Sequence, residues 1–216
     1  SPDDDIGPLE LADLIDVGAI QLLMEQFYKL TRVPNSIIDL KGNVLVGTGW
    51  QDICTQFHRV HPDTCRNCIE CDTLLTKDIP PGTFSTYLCK NNLWDCATPL
   101  IVGGKQVGNL FTGQFFFEGE RPDDSVFRAQ AAKYGFDEEK YMEALSRVPV
   151  WDRETINVAF EFYSSLAVMI TSLSHRNIAL ARILEERKRV EEALRDPRQF
   201  DGVVVSGLEG LVKPDP

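Results

Sequence analysis

The stretch from residue 87 to residue 117 constrains the fold of this chain more than any other part of it. It reads YLCKNNLWDCATPLIVGGKQVGNLFTGQFFF, and two turn sequences, NN at residues 91–92 and GGK at residues 103–105, divide it into three segments rich in apolar residues. Asparagine and glycine tolerate the left-handed backbone that tight hairpin turns require. The stretch therefore predicts three consecutive antiparallel strands.

Residues 35–50, NSIIDLKGNVLVGTGW, predict two further antiparallel strands. Two short runs rich in Ile and Val flank the hairpin-turn sequence KGN at residues 41–43. The preceding segment, residues 8–34, places apolar residues three to four apart, which predicts a helix that ends at Pro34 because proline cannot continue it. The expected apolar face of this helix consists of Leu14, Val17, Ile20, Leu23 or Met24, Phe27 and Leu30.

Helical patterns return after residue 117. The segments DDSVFRAQAAKYG and DEEKYMEALSRVP predict two helices, and Asp137 is the expected N-cap of the second. Residues 154–195 contain neither Pro nor Gly; their first half is strongly apolar and their second half is charged with a thin apolar seam. This pattern favours a helix that leaves a domain as a parallel coiled coil, and a solvated, charged helix end is the alternative.

The order of these elements indicates an α+β fold. We expect a PAS-like five-stranded antiparallel sheet with flanking helices and a long C-terminal signalling helix. The expected organisation is an N-terminal extension at residues 1–11, a PAS-like sensory domain at 12–153, the long helix at 154–195 for signalling and dimerisation, and a tail of separate character at 196–216.

Charge and hydropathy exclude several functional classes. The formal net charge of −11 lacks the basic footprint of a nucleic-acid-binding protein, and an anionic membrane surface would repel the chain. The longest uninterrupted apolar runs, such as LIVGG and LAVMI, fall far short of the roughly 18 residues that span a bilayer. We therefore expect a cytoplasmic module without direct contacts to nucleic acid or membrane.

Residues 54–71, CTQFHRVHPDTCRNCIEC, hold four of the six cysteines and two of the three histidines of the chain. The spacing of Cys65, Cys68 and Cys71 begins the pattern of iron–sulfur proteins. A fourth ligand for an iron–sulfur cluster or zinc could come from Cys89, the candidate we name, or from Cys54, Cys96, His58 or His61. Thiols three residues apart turn away from one another on a helix, so such a site requires a loop or a tight turn.

The same stretch also suits a small-molecule pocket that requires no cofactor. Aromatic and thiol side chains would hold the apolar body of an organic ligand, whereas His58, Asp72 and Gln114 would bind its hydroxyl or carboxylate group. The expected lining residues are Trp50, Cys54, Phe57, His58, Cys68, Asp72, Cys89, Asn91, Thr112, Gln114 and Phe116.

A thiol enzyme is a third interpretation of the stretch. It would use Cys54 and His58, which fall on one helical face, because a thiol beside an imidazole can be activated. No orienting acid or oxyanion arrangement is evident in the sequence, so we assign no catalytic residues.

Four motifs carry a resemblance to a known family: WQDICTQFHRVHPDT, CIECDTLL, YLCKNNLWDCATPLIVGGKQVGNLFTGQFFFE and YGFDEEKYMEALSRVPV. Through them, residues 12–175 resemble the PocR sensory domain. The resemblance implies a PAS-variant module of histidine kinases and transcription regulators that is proposed to bind small hydrocarbon derivatives. The matching positions are Cys54, His58, Cys68, Asp72, Cys89, Gly113 and Gln114, and the departures are Cys65, Cys71 and Cys96.

The lead prediction is a ligand-sensing domain without catalytic activity of its own. We expect it to bind a small organic molecule, to form a homodimer through its N- and C-terminal helices, and to signal to a kinase or regulator domain of a longer two-component protein. A metal- or iron–sulfur-dependent redox sensor built on Cys65, Cys68, Cys71 and Cys89 is the main alternative.

Overall fold

The computed structural model describes residues 9–74 and 76–195. The predicted tail at 196–216 and most of the predicted N-terminal extension lie outside the described residues. The chain divides into two compact units, Ser1–His175 and Arg176–Pro216, and the sheet belongs to the first of them.

Helices and strands follow one another largely as predicted. The helices of the described residues are α1 (Leu11–Leu14), α2 (Val17–Thr31), a π-helix (Ile53–His58), α3 (Pro62–Leu74), α4 (Asp124–Tyr134), α5 (Glu138–Ser146) and α6 (Arg153–Arg195). The strands are β1 (Asn35–Asp39), β2 (Val44–Thr48), β3 (Ser85–Leu88), β4 (Trp94–Val102), β5 (Lys105–Phe117) and β6 (Val150–Trp151).

Five of the strands form one antiparallel sheet in the order β2-β1-β5-β4-β3. This sheet, its flanking helices and the long C-terminal helix confirm the predicted α+β fold. A sixth strand, β6, pairs in parallel with the end of β5 and places Val150 opposite Phe116. The sequence analysis missed β6 because two residues are too short to show an alternation.

The predicted hairpin turns are present. Gly42, between β1 and β2, has φ 87°, and Asn92, between β3 and β4, has φ 67°. Gly103 and Gly104 join β4 to β5 with φ values of 57° and 73°. These left-handed backbones are why the turns contain Gly and Asn.

The N-terminal helix prediction was wrong in one respect, because residues 8–34 form two helices rather than one. Asp16 interrupts the helical run, and its side chain accepts a hydrogen bond from the first turn of α2 and caps it. Met24 is fully buried, but Leu23 and Leu30 of the expected apolar face are 44% and 83% exposed. The sequence pattern therefore identified the helical period but not which apolar residues face the core.

The two faces of the sheet carry separate apolar cores. One core surrounds Phe116 and includes residues of the π-helix, α4 and α5, such as Ile53 and Tyr141. The other contains Phe115 and Phe117, which pack with Ile156 and Phe160 of α6. Neighbouring residues of a strand point to opposite faces, so the FFF run of β5 supplies both cores.

Helix α6 is long and apolar in its first half. An 18-residue window within Arg153–Leu194 has a mean hydropathy of 1.4, and 39% of that window is buried in the protein. Counting uninterrupted apolar runs misses this window. By length and composition alone it could cross a membrane, a test that the core helices of soluble proteins also pass.

Candidate functional site

A small cavity lies against the sheet, where residues of β1, β4 and β5 meet Trp50, Arg59 and Asp72. It contains about 290 Å³ of empty space, and the centres of water molecules can occupy only about 20 Å³ of that space. The residues that line it are Pro34, Asn35, Ser36, Ile38, Trp50, Arg59, Asp72, Asp95, Phe111, Gly113 and Gln114. Its lining combines aromatic side chains with converging charged groups, as small-molecule sites do.

A wider groove lies elsewhere on the same unit, between residues 82–84 and α6. It contains about 960 Å³ of empty space and is open to solvent, and Glu161 is the ionisable side chain in its lining. The polar side chains of the groove are Thr83, Glu161, Ser164 and Ser165, whereas the smaller cavity brings two carboxylates and a guanidinium together and is therefore the better candidate for specific recognition.

Arg59 and Asp72 form a fixed ion pair at the cavity. A guanidinium nitrogen of Arg59 donates to Oδ2 of Asp72 at 2.6 Å, and the guanidinium carbon lies 4.6 Å from the centroid of the Trp50 ring. Burial raises the pKa of Asp72, and the charge of Arg59 opposes that rise. The ion pair and the stacking together hold Arg59 in place at the cavity wall.

Asp95 of β4 is the second carboxylate of the cavity. Its Oδ1 accepts a hydrogen bond from the backbone N–H of Gln114 at 3.1 Å, and the Cys89 thiol lies close enough to lower its pKa. Burial, and then repulsion from Asp72, raises the pKa of Asp95 to about 7. Near neutral pH this side chain therefore exchanges between a charged and a neutral form.

A bulge in β5 makes room for Asp95. Trp94 pairs with Phe115 and Asp95 pairs with Gly113, so Gln114 is an additional residue between two ladder pairs. Gln114 has φ 66°, a left-handed backbone that is strained for a residue with a side chain. Its Oε1 accepts a hydrogen bond of 2.5 Å from the backbone N–H of Gln51 and so ties the bulge to the residues before the π-helix.

The structure divides the predicted pocket residues between this cavity and a neighbouring core. Trp50, Asp72 and Gln114 line the cavity. The sequence analysis missed Arg59 and Asp95. A signal for Asp95 existed, because it is the one charged residue in the otherwise apolar or neutral segment WDCATPLIV, whereas nothing in the sequence distinguishes Arg59 from the other arginines.

His58, another predicted pocket residue, lies in a buried network. Its Nε2 is 2.7 Å from the Tyr141 hydroxyl and 3.4 Å from the side-chain amide nitrogen of Gln130, and its Nδ1 is 3.8 Å from Sγ of Cys54. An amide nitrogen can only donate, so we assign Nε2 as the acceptor and place the proton on Nδ1. Burial lowers the pKa of His58 to about 3, so the ring is neutral.

The Cys54–His58 pair is not arranged as an activated thiol. Burial raises the pKa of Cys54 well above its usual value, and the nearby Cys68 and Asp95 raise it further. The neutral ring of His58 offers no positive charge to stabilise a thiolate. This geometry gives no support to the thiol-enzyme interpretation.

The thiols of Cys68, Cys71 and Cys89 accept hydrogen bonds from the turn between β3 and β4. Sγ of Cys68 accepts from the Asn91 side chain at 3.2 Å, and Sγ of Cys71 and Cys89 accept from backbone N–H groups at 3.4 Å. Cys65 is partly exposed. Across residues 9–74 and 76–195, no group of three or more His, Cys, Asp or Glu side chains is placed to hold a metal ion.

The other predicted pocket residues do not line the cavity. Phe57 packs edge-on against Tyr141, and Phe116 packs against Phe127 in the same core. The Thr112 hydroxyl donates to the carbonyl of Pro34. The site-residue prediction thus combined one cavity with the core beside it.

Comparison with known proteins places the chain in a family. Residues 13–175 match the family model described as the sensory domain found in PocR. The matched range includes the cavity, the π-helix and the first half of α6, and it covers well over half of the chain. No curated protein matches the sequence. The chain therefore belongs to the family of the sensory domain found in PocR, which is a sensing module of signalling proteins.

Proposed function

We propose that this sensing module binds a small organic molecule in the cavity beside Asp95 and passes the signal through α6. The aromatic rings of Trp50 and Phe111 supply apolar contact area, and the fixed charges supply orientation, which is the usual composition of a ligand site. This composition supports the proposal more strongly than the size of the cavity does, because a ligand can enlarge a small cavity by moving its walls.

The proposed transmission of the signal from the cavity to α6 is supported by two residues that lie between them. Asn35 of β1 lines the cavity. Burial raises the pKa of Tyr163 of α6, and the Asn35 side chain lowers it, so the two side chains are close. The buried amide of Asn35 and the buried hydroxyl of Tyr163 nevertheless reach no hydrogen-bonding geometry with any described residue. Unsatisfied buried groups favour rearrangement, so a small shift of β1 would change how α6 packs.

The output in this proposal is a homodimer that transmits the signal to a kinase or regulator domain of a longer protein. In the first unit, Phe27 of α2 stacks on Phe162 of α6 at 4.6 Å, beside the exposed Leu23 and Leu30. In the second unit, α6 exposes a seam of apolar residues at coiled-coil spacing, namely Leu180, Ile183, Val190 and Leu194.

We place the module in the cytoplasm, on the support of its net charge of −11.

Mass spectrometry of small molecules released from the purified chain tests ligand binding. We expect one organic compound near stoichiometric amount, and its addition to ligand-stripped protein raises the melting temperature. A Trp50→Leu variant, which loses an aromatic wall of the cavity, responds less. The matched control is Trp151→Leu, which changes a tryptophan outside the cavity lining and keeps the response. Equal responses of the two variants would contradict the cavity as the site.

Hydrogen exchange of α6 tests the relay separately. We expect the compound to change exchange within residues 160–170 of the wild-type chain. Tyr163→Phe removes the hydroxyl near Asn35, so it retains binding but reduces this change. An unchanged exchange response in Tyr163→Phe would show that the signal takes another route.

A further inference from the structure

The ionisable groups of the cavity do not balance. Its lining contains two carboxylates, Asp72 and Asp95, and one guanidinium, Arg59, whereas its other residues are uncharged. Arg59 is committed to Asp72 by the 2.6 Å ion pair and to Trp50 by stacking. Asp95 therefore forms no ion pair of its own among the described residues; it accepts one hydrogen bond, from the backbone N–H of Gln114, and lies near the Cys89 thiol.

A buried carboxylate without a cation is costly, because removal from water penalises the charged form. The surroundings of Asp95 add a second polar group without a partner. Tyr87 of β3 lies directly opposite Asp95 in the strand register, and its buried hydroxyl makes no hydrogen bond to any described residue. Tyr87 is not among the residues that line the cavity, whereas Asn35, whose buried side-chain amide also has no hydrogen-bond partner among the described residues, is one of them.

The aromatic lining suits the same kind of ligand. Trp50 and Phe111 border the cavity, and aromatic faces attract organic cations as well as apolar groups. Because the two carboxylates outnumber the one guanidinium, an added cation completes the charge balance, whereas an added anion increases the imbalance. The charge of the lining therefore favours a cation over a neutral or anionic ligand of the same size, a choice that the shape of the cavity does not make.

On the basis of the proposed sensory function, we infer that the ligand is a small organic cation whose ammonium group pairs with the carboxylate of Asp95. The side-chain oxygen of Asn35 accepts a further N–H of that group, and the carbon atoms of the ligand lie against Trp50 and Phe111. Arg59 remains with Asp72 and takes no part in binding the charge.

Three probes of nearly equal size test the charge: ethanolamine is a cation, ethylene glycol is neutral and glycolate is an anion. Each is titrated into the full chain near neutral pH, while NMR follows the indole N–H of Trp50. We expect ethanolamine to bind at least tenfold more tightly than either other probe, a difference of about 1.4 kcal/mol. Binding of ethylene glycol or glycolate as tightly as ethanolamine, or no response to ethanolamine, overturns the inference.

A pair of variants tests the role of Asp95. Asp95→Asn keeps the shape of the side chain, and we expect it to reduce the affinity for ethanolamine to that for ethylene glycol. Asp63→Asn changes the net charge equally at a carboxylate of α3 that is 58% exposed, and it leaves all three affinities unchanged. Unchanged ethanolamine binding in Asp95→Asn overturns the inference. Tighter binding of a neutral or anionic probe leaves the sensory proposal standing, since a ligand still occupies the cavity.

Discussion

Asp95 and Gly113 pair across β4 and β5 so closely that a Cβ atom at position 113 would overlap the carboxylate of Asp95. Position 113 is therefore a glycine because the buried carboxylate of Asp95 occupies the space that a side chain would need, and not because a turn requires it. The bulge at Gln114, immediately after it, allows the same carboxylate to receive a backbone N–H. Gly113 and Gln114 together therefore position the Asp95 side chain at the cavity.

Gly113→Ala is expected to destabilise the fold by about 1–3 kcal/mol, the usual range for inserting an atom into packed structure. Urea unfolding measures the free energy of unfolding. Gly18→Ala is the control, because Gly18 lies in the first turn of α2, where a Cβ atom would meet only Oδ1 of Asp16 at 3.6 Å, an ordinary van der Waals contact, and this substitution stays neutral or stabilises. In an Asp95→Ala background the cost of Gly113→Ala should shrink, and an undiminished cost would contradict the proposed clash.

Removing His58 is expected to change how stability depends on pH. Burial lowers the pKa of His58 from 6.5 to about 3, so the folded protein keeps a neutral ring that the unfolded chain protonates below pH 6.5. The stability from this group is fully present above pH 6.5 and is lost as the pH falls toward 3, by at most about 1.4 kcal/mol per pH unit. Between pH 7 and pH 5 the loss is about 2 kcal/mol.

This loss is measured as the difference in unfolding free energy between the wild type and His58→Gln, because other groups titrate in the same range. We expect the wild type to lose more stability on acidification than the variant. His61→Gln, which removes a partly exposed histidine outside the buried network, is the control and should follow the wild type. Parallel pH profiles for the wild type and His58→Gln would contradict the neutral buried ring.

Asp95→Asn is expected to stabilise the protein at alkaline pH. Burial raises the pKa of Asp95 from 3.8 to about 7, so the folded state binds a proton more tightly than the unfolded chain does. The stability of the wild type therefore decreases as the pH rises from about 4 through 7, by at most about 1.4 kcal/mol per pH unit. Urea unfolding at pH 5 and pH 8 should show the advantage of Asp95→Asn growing with pH, and a constant difference would exclude this titration.

Alkylation of the native chain is expected to spare the buried thiols. Cys54 and Cys96 are 6% and 0% exposed, and burial raises the pKa of both, for Cys96 to about 12. Iodoacetamide near neutral pH should therefore modify the partly exposed Cys65 first, as peptide mass mapping will show. The urea-unfolded chain is the control, in which all the thiols react. Faster modification of Cys54 than of Cys65 would revive the thiol-enzyme interpretation.

Charging the apolar seam of α6 is expected to prevent dimerisation. Leu180 and Ile183 are 57% and 61% exposed, and a Leu180→Glu, Ile183→Glu double variant would bury four like charges in a coiled coil of two chains. Sedimentation should show a dimer for the wild type and a monomer for the variant. Ala181→Glu places a charge on the same helix beside the seam and keeps the dimer. A monomeric wild type would contradict the proposed homodimer.

Local sequence patterns were sufficient for the fold because its turns and caps depend on neighbouring residues. Gly42, Asn92 and the Gly103-Gly104 pair identify the hairpins from their own backbone preferences, and Asp137 caps α5 as predicted. The split at Asp16 was missed because an aspartate suits both a helix surface and an N-cap, and only its contact with α2 distinguishes them.

The candidate site was less accessible to sequence reasoning. The stretch at residues 54–71 attracted attention by its composition, but two of its four thiols, those of Cys68 and Cys71, accept hydrogen bonds from the turn between β3 and β4. The charged centre combines Arg59, Asp72 and Asp95, which lie on three separate segments. Their convergence leaves no periodic pattern in the sequence, because periodicity reports one element at a time.

By itself the sequence determined the hairpins of the antiparallel sheet, their turns and the long C-terminal helix, since each of these follows from residues close together in the chain, and its four motifs carried the family resemblance. Only the tertiary structure decided that Asp95 faces a cavity beside Asp72, and that His58 lies in a neutral network with Tyr141. The physical reason is burial. The charge of a carboxylate or an imidazole depends on which distant segments exclude water from it, and no local pattern records those contacts.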